Sequence, residues 1–180
     1  MIKFKDFINE SIINIIDGEN ISRFSDEIWE LLNLSYKSIG GIKGNGFADK
    51  DSLSNFKQIK FVRKNQKIVA GLIYKDKDFR KTVAVFTDGS AVAKQELINL
   101  IKDDIKRSYI EVSHSLLKFI EKNLSNEISD YIVPASKVSD ILGKEVEIVS
   151  DFKYIRSIGG EKVIKMMLGS RTQYKEYSPI

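Results

Sequence analysis

The apolar positions change period several times along the chain. From Met1 to about Ile16, the residues Phe4, Phe7, Ile8, Ile12, Ile15 and Ile16 fall at mostly helical spacing, which predicts an amphipathic helix ended by Asp17-Gly18-Glu19-Asn20. A second helix is predicted from Ser25 or Asp26, either a suitable N-cap, to Ser38, with Ile28, Trp29, Leu31, Leu32 and Tyr36 as its apolar stripe. Gly40-Gly41 and Gly44-Asn45-Gly46 then mark a flexible stretch without periodicity, serving as a connector or as a substrate lid.

Three strands are predicted next. Ile59 to Arg63 and Lys67 to Lys75 flank a hairpin turn at Lys64-Asn65-Gln66. Ile68, Val69, Ala70, Leu72 and Ile73 are apolar on both faces, as in a central strand covered on both sides. A charged turn, Asp76 to Arg80, leads into Lys81 to Thr87. After Asp88-Gly89-Ser90 a helix runs to about Arg107, burying Leu97, Ile98, Ile101 and Ile105. The short strand Ser108 to Ser113 places Tyr109, Glu111 and Ser113 on one face and Ile110, Val112 and His114 on the other. Leu116, Leu117, Ile120 and Leu124 form one side of a further helix, and Tyr131-Ile132-Val133-Pro134 returns toward the sheet. Ser136 to Leu142 reads as a short helix ended by Gly143, and Glu145 to Val149, Lys153 to Ile158 and Lys162 to Leu168 as strands, the last two joined in a hairpin at Gly159-Gly160. Helices interleaved with strands exclude an all-α bundle and a β-sandwich. They predict an α/β (α+β) fold: a mixed, mainly antiparallel central sheet with helices on both faces.

Composition narrows the chemistry. The sequence has no cysteine and one histidine, His114, so disulfides, thiolate nucleophiles and histidine-rich metal clusters are excluded within one chain, and no metal site is expected. No apolar run approaches the roughly 20 residues that span a bilayer, and the N-terminus does not read as a signal peptide, so a cytoplasmic protein with no membrane partner is expected. The net charge is +4, with basic blocks at Lys60 to Lys67 and Lys162 to Lys175. A solvated basic face accounts for these blocks, and so does an anionic ligand, either a phosphorylated cofactor or a nucleic acid.

The segment with chemical content is Val83 to Leu100. There a buried strand stops at a Gly-containing loop and a helix begins within a few residues. Free N–H groups at such a helix start suit a phosphate, and Lys94 would add charge, although the same pattern serves as a plain β-turn-α connection. In element order, residues 25 to 168 resemble the GNAT (acyl-CoA N-acyltransferase) superfamily. Its fourth strand leads into a (Arg/Gln)-x-x-Gly-x-(Gly/Ala) loop whose amides bind the pyrophosphate of acyl-coenzyme A. Thr87-Asp88-Gly89-Ser90-Ala91-Val92-Ala93-Lys94 occupies that place, with Gly89 and Ala93 small but no second glycine and no Arg or Gln at its head. The resemblance implies acetyl-CoA or another acyl-CoA as cofactor, held by Val85, Phe86, Thr87, Gly89, Ser90, Ala91, Ala93 and Lys94, and a small-molecule or protein amine as acceptor. It also implies catalysis around the Tyr109–His114 strand. Glu111 is the best-placed base, His114 titrates near neutrality, and Ser113 stands beside it, able to cap the next helix. A triad of Ser113 and His114 is disfavoured because adjacent strand residues point to opposite faces. No tyrosine lies between Ser115 and Leu124, where the superfamily often keeps its acid and where Phe119 is the one aromatic. Tyr109, Tyr154 and Arg156 are the candidate acceptor-binding residues.

Met1 to Ser11 resembles a different pattern, the capsid-targeting leader of internal proteins from large tailed phages. Such leaders end in (Ile/Leu)-x-Glu before a small residue, matched by Ile8-Asn9-Glu10-Ser11; an ordinary docking helix fits the same residues. The expected organisation is an N-terminal helix over 1–20, a GNAT-like domain over 21–170 and a tail over 171–180. Two functions stay open: a GNAT-like acyltransferase, and a non-catalytic phage virion or host-directed binding protein on the same scaffold, placed in the host cytoplasm or the virion.

Overall fold

A computed structural model describes residues 11–43, 47–75, 81–103, 108–131, 135–145 and 164–168. Among these, β1 (Ile12–Ile16), β2 (Gln58–Lys64), β3 (Lys67–Tyr74), β4 (Lys81–Thr87), β5 (Ser108–Val112), β6 (Ile128–Tyr131) and β7 (Ile164–Leu168) form one sheet. Its strand order is β1-β2-β3-β4-β5-β7-β6. Every neighbouring pair is antiparallel except β4 and β5, which run parallel. The helices are α1 (Ser25–Ser35), α2 (Ala91–Asp103), α3 (His114–Leu124) and α4 (Ala135–Leu142). The fold is the mixed, mainly antiparallel α/β type that the hydrophobic pattern predicts.

Two apolar layers cover the sheet. Leu31, Leu32 and Tyr36 from α1 and its C-cap pack with Ile59, Phe61, Ile68, Ile73, Ala84 and Phe86. Leu97 and Ile101 of α2 and Leu117 and Ile120 of α3 pack with Val62, Ala70, Leu72, Val85, Ile110 and Val112. The period of two in β3 is broken by a bulge. Val62 pairs with Ala70 and Arg63 with Ile68, which leaves Val69 unpaired. One extra residue reverses the facing of those before it, so Ile68 joins the α1 layer while Ala70 and Leu72 join the α2 layer. Beyond the bulge ordinary alternation continues, with Leu72 and Tyr74 in one layer and Ile73 in the other, so the continuous apolar run is buried on both faces.

Several sequence expectations need correction. Residues 12–16 are a strand paired in register with β2, Ile12 opposite Arg63 and Ile16 opposite Ile59, rather than the end of a helix. Ile12-Ile13-Asn14-Ile15-Ile16 is β-branched at four of its five positions, and cross-strand pairing outweighs the apparent helical spacing. Residues 1–10 lie outside the described residues, as does the leader-like pattern apart from Ser11. Ser11 is exposed and donates from Oγ to Glu96 Oε1 at 2.7 Å. Burial pushes the Glu96 carboxyl up, but the bonds from Ser11 and Lys64 outweigh it and hold the group below its ordinary value.

The second helix ends at Ser35, and a 3₁₀ turn follows over Lys37–Ile39. Of the stretch after it, Gly44-Asn45-Gly46 lie outside the described residues. Ile42 and Phe47 are buried, Phe47 stacks on Phe56 with centroids 4.7 Å apart, and Asp49 and Ser52 form a capping box on a 3₁₀ turn over Lys50–Asn55. Over Met166–Leu168, β7 pairs with β5 on one side and β6 on the other. The predicted strands 145–149 and 153–158 and the charged turn 76–80 lie outside the described residues, save Glu145, which is in no strand.

The β2–β3 turn has Asn65 at φ 50° and Gln66 at φ 66°, the primed geometry that matches strand twist. Gln66 is a poor residue for a left-handed position, so Gln66→Gly is expected to stabilise the protein by about 1 kcal/mol, read as a higher urea midpoint with unchanged slope. Gly18 is at the other extreme. A Cβ there would lie 2.3 Å from the Phe56 carbonyl oxygen, 2.7 Å from that of Leu53 and 2.8 Å from that of Ser54. Gly18→Ala is expected to lose about 3 kcal/mol in the same titration, because backbone cannot step aside as a flexible side chain can.

Candidate functional site

The parallel strands β4 and β5 meet only at Lys81–Tyr109 and Thr82–Ile110. Beyond that point β4 runs on to Thr87 with no strand on its β5 side among the described residues. The Asp88 amide donates to the Val69 carbonyl at 2.9 Å, so the even positions of β4 near its end bond to β3. Antiparallel alternation then turns the polar backbone groups of Val85 and Thr87 the other way, into the gap between β4 and β5.

Those groups are satisfied from α1. The Val85 amide donates to the Tyr36 hydroxyl at 3.2 Å. The Thr87 amide donates to Ser35 Oγ at 3.0 Å, and Ser35 Oγ donates back to the Thr87 carbonyl at 3.2 Å. Ser115 Oγ donates to the Ser35 carbonyl at 3.4 Å and lies 3.0 Å from Ser113 Oγ. A run of uncharged hydroxyls thus bridges the end of β5 and the end of β4. Ser35, Tyr36, Thr87 and Ser113 are all buried, where unpaired polar groups would be costly.

The loop after β4 is largely self-capped. The Gly89 amide donates to Thr87 Oγ1 at 3.2 Å, the Ser90 amide to Asp88 Oδ1 at 2.8 Å and the Ala93 amide to Ser90 Oγ at 3.1 Å. Ser90 is therefore the working N-cap of α2, and Gly89 makes the turn at φ +85°. The amides of Ala91 and Val92, both on exposed residues, are the first-turn donors left for solvent or a ligand. Lys94 does not reach over the loop. Its ammonium sits 5.9 Å from the Phe119 ring centroid on α3, where Phe119 serves as a cation–π partner.

The remaining expected site residues divide as follows. Val85 and Phe86 are buried on opposite faces, Val85 toward α2 and Phe86 toward α1, and Ala93 is fully buried. Tyr109 and Glu111 lie on β5, opposite Met167 and Lys165 of β7, and Glu111 is the first β5 position past the last pairing with β4. Ser113 and His114 are not strand residues. β5 stops at Val112, Ser113 takes the N-cap position of α3 and His114 is the first residue of that helix. The argument from opposite strand faces therefore lapses. Ser113 makes no cap bond through its side chain and bonds Ser115 instead. Tyr154 and Arg156 lie outside the described residues.

Sequence reasoning missed Ser35, Tyr36 and Ser115. Tyr36 falls within the apolar stripe of α1, and the signal in the sequence is the adjacent pair of hydroxyl residues Ser35-Tyr36 at the end of that stripe.

Ser90→Ala is expected to destabilise the protein by about 1 kcal/mol through the lost cap of α2, read from chemical denaturation.

No protein-family model and no curated protein matches the chain. Among solved structures it is similar to a probable acetyltransferase from Staphylococcus epidermidis ATCC 12228, at 14% identity and a TM-score of 0.47, covering 88% of this chain and 97% of that one.

Proposed function

We propose that the gap between β4 and β5 receives the amide-bearing arm of an acyl-coenzyme A, and that the protein transfers the acyl group to an amine on a small molecule or a protein. The observation that carries this reading is the parting of β4 from β5 after Thr82 and Ile110, which turns the backbone of Val85 and Thr87 toward the gap beside a left-handed glycine and a helix start. In this reading the gap-facing groups of Val85 and Thr87 hold the arm, and the amides of Ala91 and Val92 take the pyrophosphate with the positive end of the α2 dipole behind them. The bound cofactor supplies an acyl thioester, already activated toward an amine. Glu111, at the mouth of the gap by its strand position, is assigned as the base that takes the amine proton, with His114, the first residue of α3, as a second candidate. Tyr109, Tyr154 and Arg156 keep their assignment to the acceptor side, and the cofactor contacts proposed for Gly89, Ser90 and Ala93 are through space the small residues leave rather than through their capped amides.

A second reading has its own observation. Ser35 and Tyr36 already occupy the groups that the arm would need, and a filled gap fits a non-catalytic binding protein on this scaffold, whether a phage virion component or a host-directed one.

A thermal melt with and without millimolar acetyl-coenzyme A separates the two. Binding to the folded state alone at 100 times Kd is expected to add about 2.7 kcal/mol and raise Tm by roughly 5–10 °C. Gly89→Trp, which has open space for its Cβ but fills the loop mouth, is expected to abolish the shift while lowering the ligand-free Tm by only a few degrees. No shift in the unmodified protein sinks the acyltransferase reading and favours the second.

A further inference from the structure

β1 is the outermost strand of the sheet, and among the described residues no strand lies on its other side. An open strand edge offers backbone donors and acceptors to any further strand, and proteins commonly guard such edges with charge, proline or a bulge. β1 has none of these guards. Ile12-Ile13-Asn14-Ile15-Ile16 carries no charge and no proline, and its register with β2 runs without a shift. Ile12, Ile13 and Ile15 are each more than half exposed, three of the five large apolar side chains so exposed among the described residues, so the exposed apolar surface is concentrated on this one strand. Ile13 and Ile15 stand opposite Val62 and Lys60, on the side of the sheet that α2 covers further in.

The order of residues in β1 selects what fits against it. Read in either direction the strand is the same, with Asn14 at its centre. Two copies of β1 laid antiparallel about a two-fold axis at Asn14 set Ile12 opposite Ile16, Ile13 opposite Ile15 and Asn14 opposite Asn14. Every apolar side chain then meets an apolar one. One step further out Asp17 falls opposite Ser11, so no like charges face each other. An axis normal to the sheet keeps each face on its own side, so Ile13 and Ile15 of both copies join in one cluster of four on the α2 side. The Asn14 side chain donates to the Ile12 carbonyl at 3.2 Å; an amide carries donors and an acceptor, so it can also pair with its own copy. We propose that β1 pairs with β1 of a second copy in this register, making one continuous sheet from two chains. β2 and β3 separate this edge from β4, so the pairing does not depend on what the gap between β4 and β5 binds.

Two measurements on the full chain test the pairing. A five-residue strand pair is smaller than a standard interface, so a reversible dimer is expected, seen as a sedimentation coefficient that rises between roughly 5 and 200 µM protein. Asn14→Asp sets two carboxylates against each other across the axis and is expected to weaken self-association roughly fivefold. Asn14→Cys tests the register, because the chain has no cysteine of its own. At the axis the two new side chains are directly opposed, with Cβ atoms about 5 Å apart, and mild oxidation is expected to give a disulfide-linked dimer. Ile12→Cys is the control. Ile12 is the more exposed position, but its two copies are offset by four residues along the strands, roughly 13 Å, and no disulfide is expected. Neither position is buried, so each variant is expected to keep the parent melting temperature, which a thermal melt checks. A chain that stays monomeric across the range overturns the proposal and leaves the isoleucines to another segment of the chain or to a different protein. A dimer in which Asn14→Cys does not cross-link, or in which Ile12→Cys does so instead, rests on another contact and overturns it too.

Discussion

The structure turns on one constraint. β4 must satisfy both of its backbone edges although β5 leaves it after Thr82. A buried strand that loses a neighbour carries alternate amides and carbonyls into a low-polarity interior, and each must be met by something. Here the end of α1 meets them, with Tyr36 on Val85 and Ser35 on Thr87. The same parting opens the gap into which the hydroxyls of Ser35 and Tyr36 reach. Why α1 runs where it does follows from this, since Leu31 and Leu32 hold it on the sheet face over Phe86 and Ala84 while its last two residues reach the strand edge.

The two apolar layers bring the other parts to the same place. β3 serves both layers by alternation, with Ile73 in one and Leu72 and Tyr74 in the other, so β4 is held on its β3 side by a strand buried along nearly its whole length. On the opposite face α2 and α3 share one cluster with Val85, Ile110 and Val112, which fixes the helix start at Ser90 beside the end of β4 and places Ser113 and Ser115 at the end of β5. Lys94 on Phe119 joins the two helices at their outer side. The gap is thus framed by α1 on one face and by α2 and α3 on the other.

Two chemical details set this frame apart from a glycine-rich phosphate loop. Asp88 places a carboxylate on the Ser90 amide, and Thr87 and Ser90 use their hydroxyls on two more, so the loop satisfies itself and leaves two donors outward. A second glycine would leave more amides free, at the expense of the capping that starts α2. The loop as it stands trades anion-binding capacity for a well-defined helix start.

The local elements were legible in the sequence where one residue type settles a local geometry. The strand at 81–87, the turn at Asn65-Gln66, the helix from 91 and the stop at Gly143 all follow from alternation, left-handed tolerance and capping, which act over a few neighbours. The strand at 12–16 was not, because Ile12, Ile15 and Ile16 fit a helix stripe as well as a strand, and only pairing with Ile59 to Arg63, far along the chain, decides between them. The site divides in the same way. The strand–Gly89–helix unit and the carboxylate at Glu111 can be found by reading along the chain. The hydroxyls of Ser35 and Tyr36 on β4 cannot, since they join residues about fifty apart and depend on where β5 departs. Local sterics and period, carried by the chain segment by segment, settle most of the strands and helices. Which backbone groups β4 leaves unpaired, and what answers them, comes from the packing of its neighbours, since no residue within β4 creates that need.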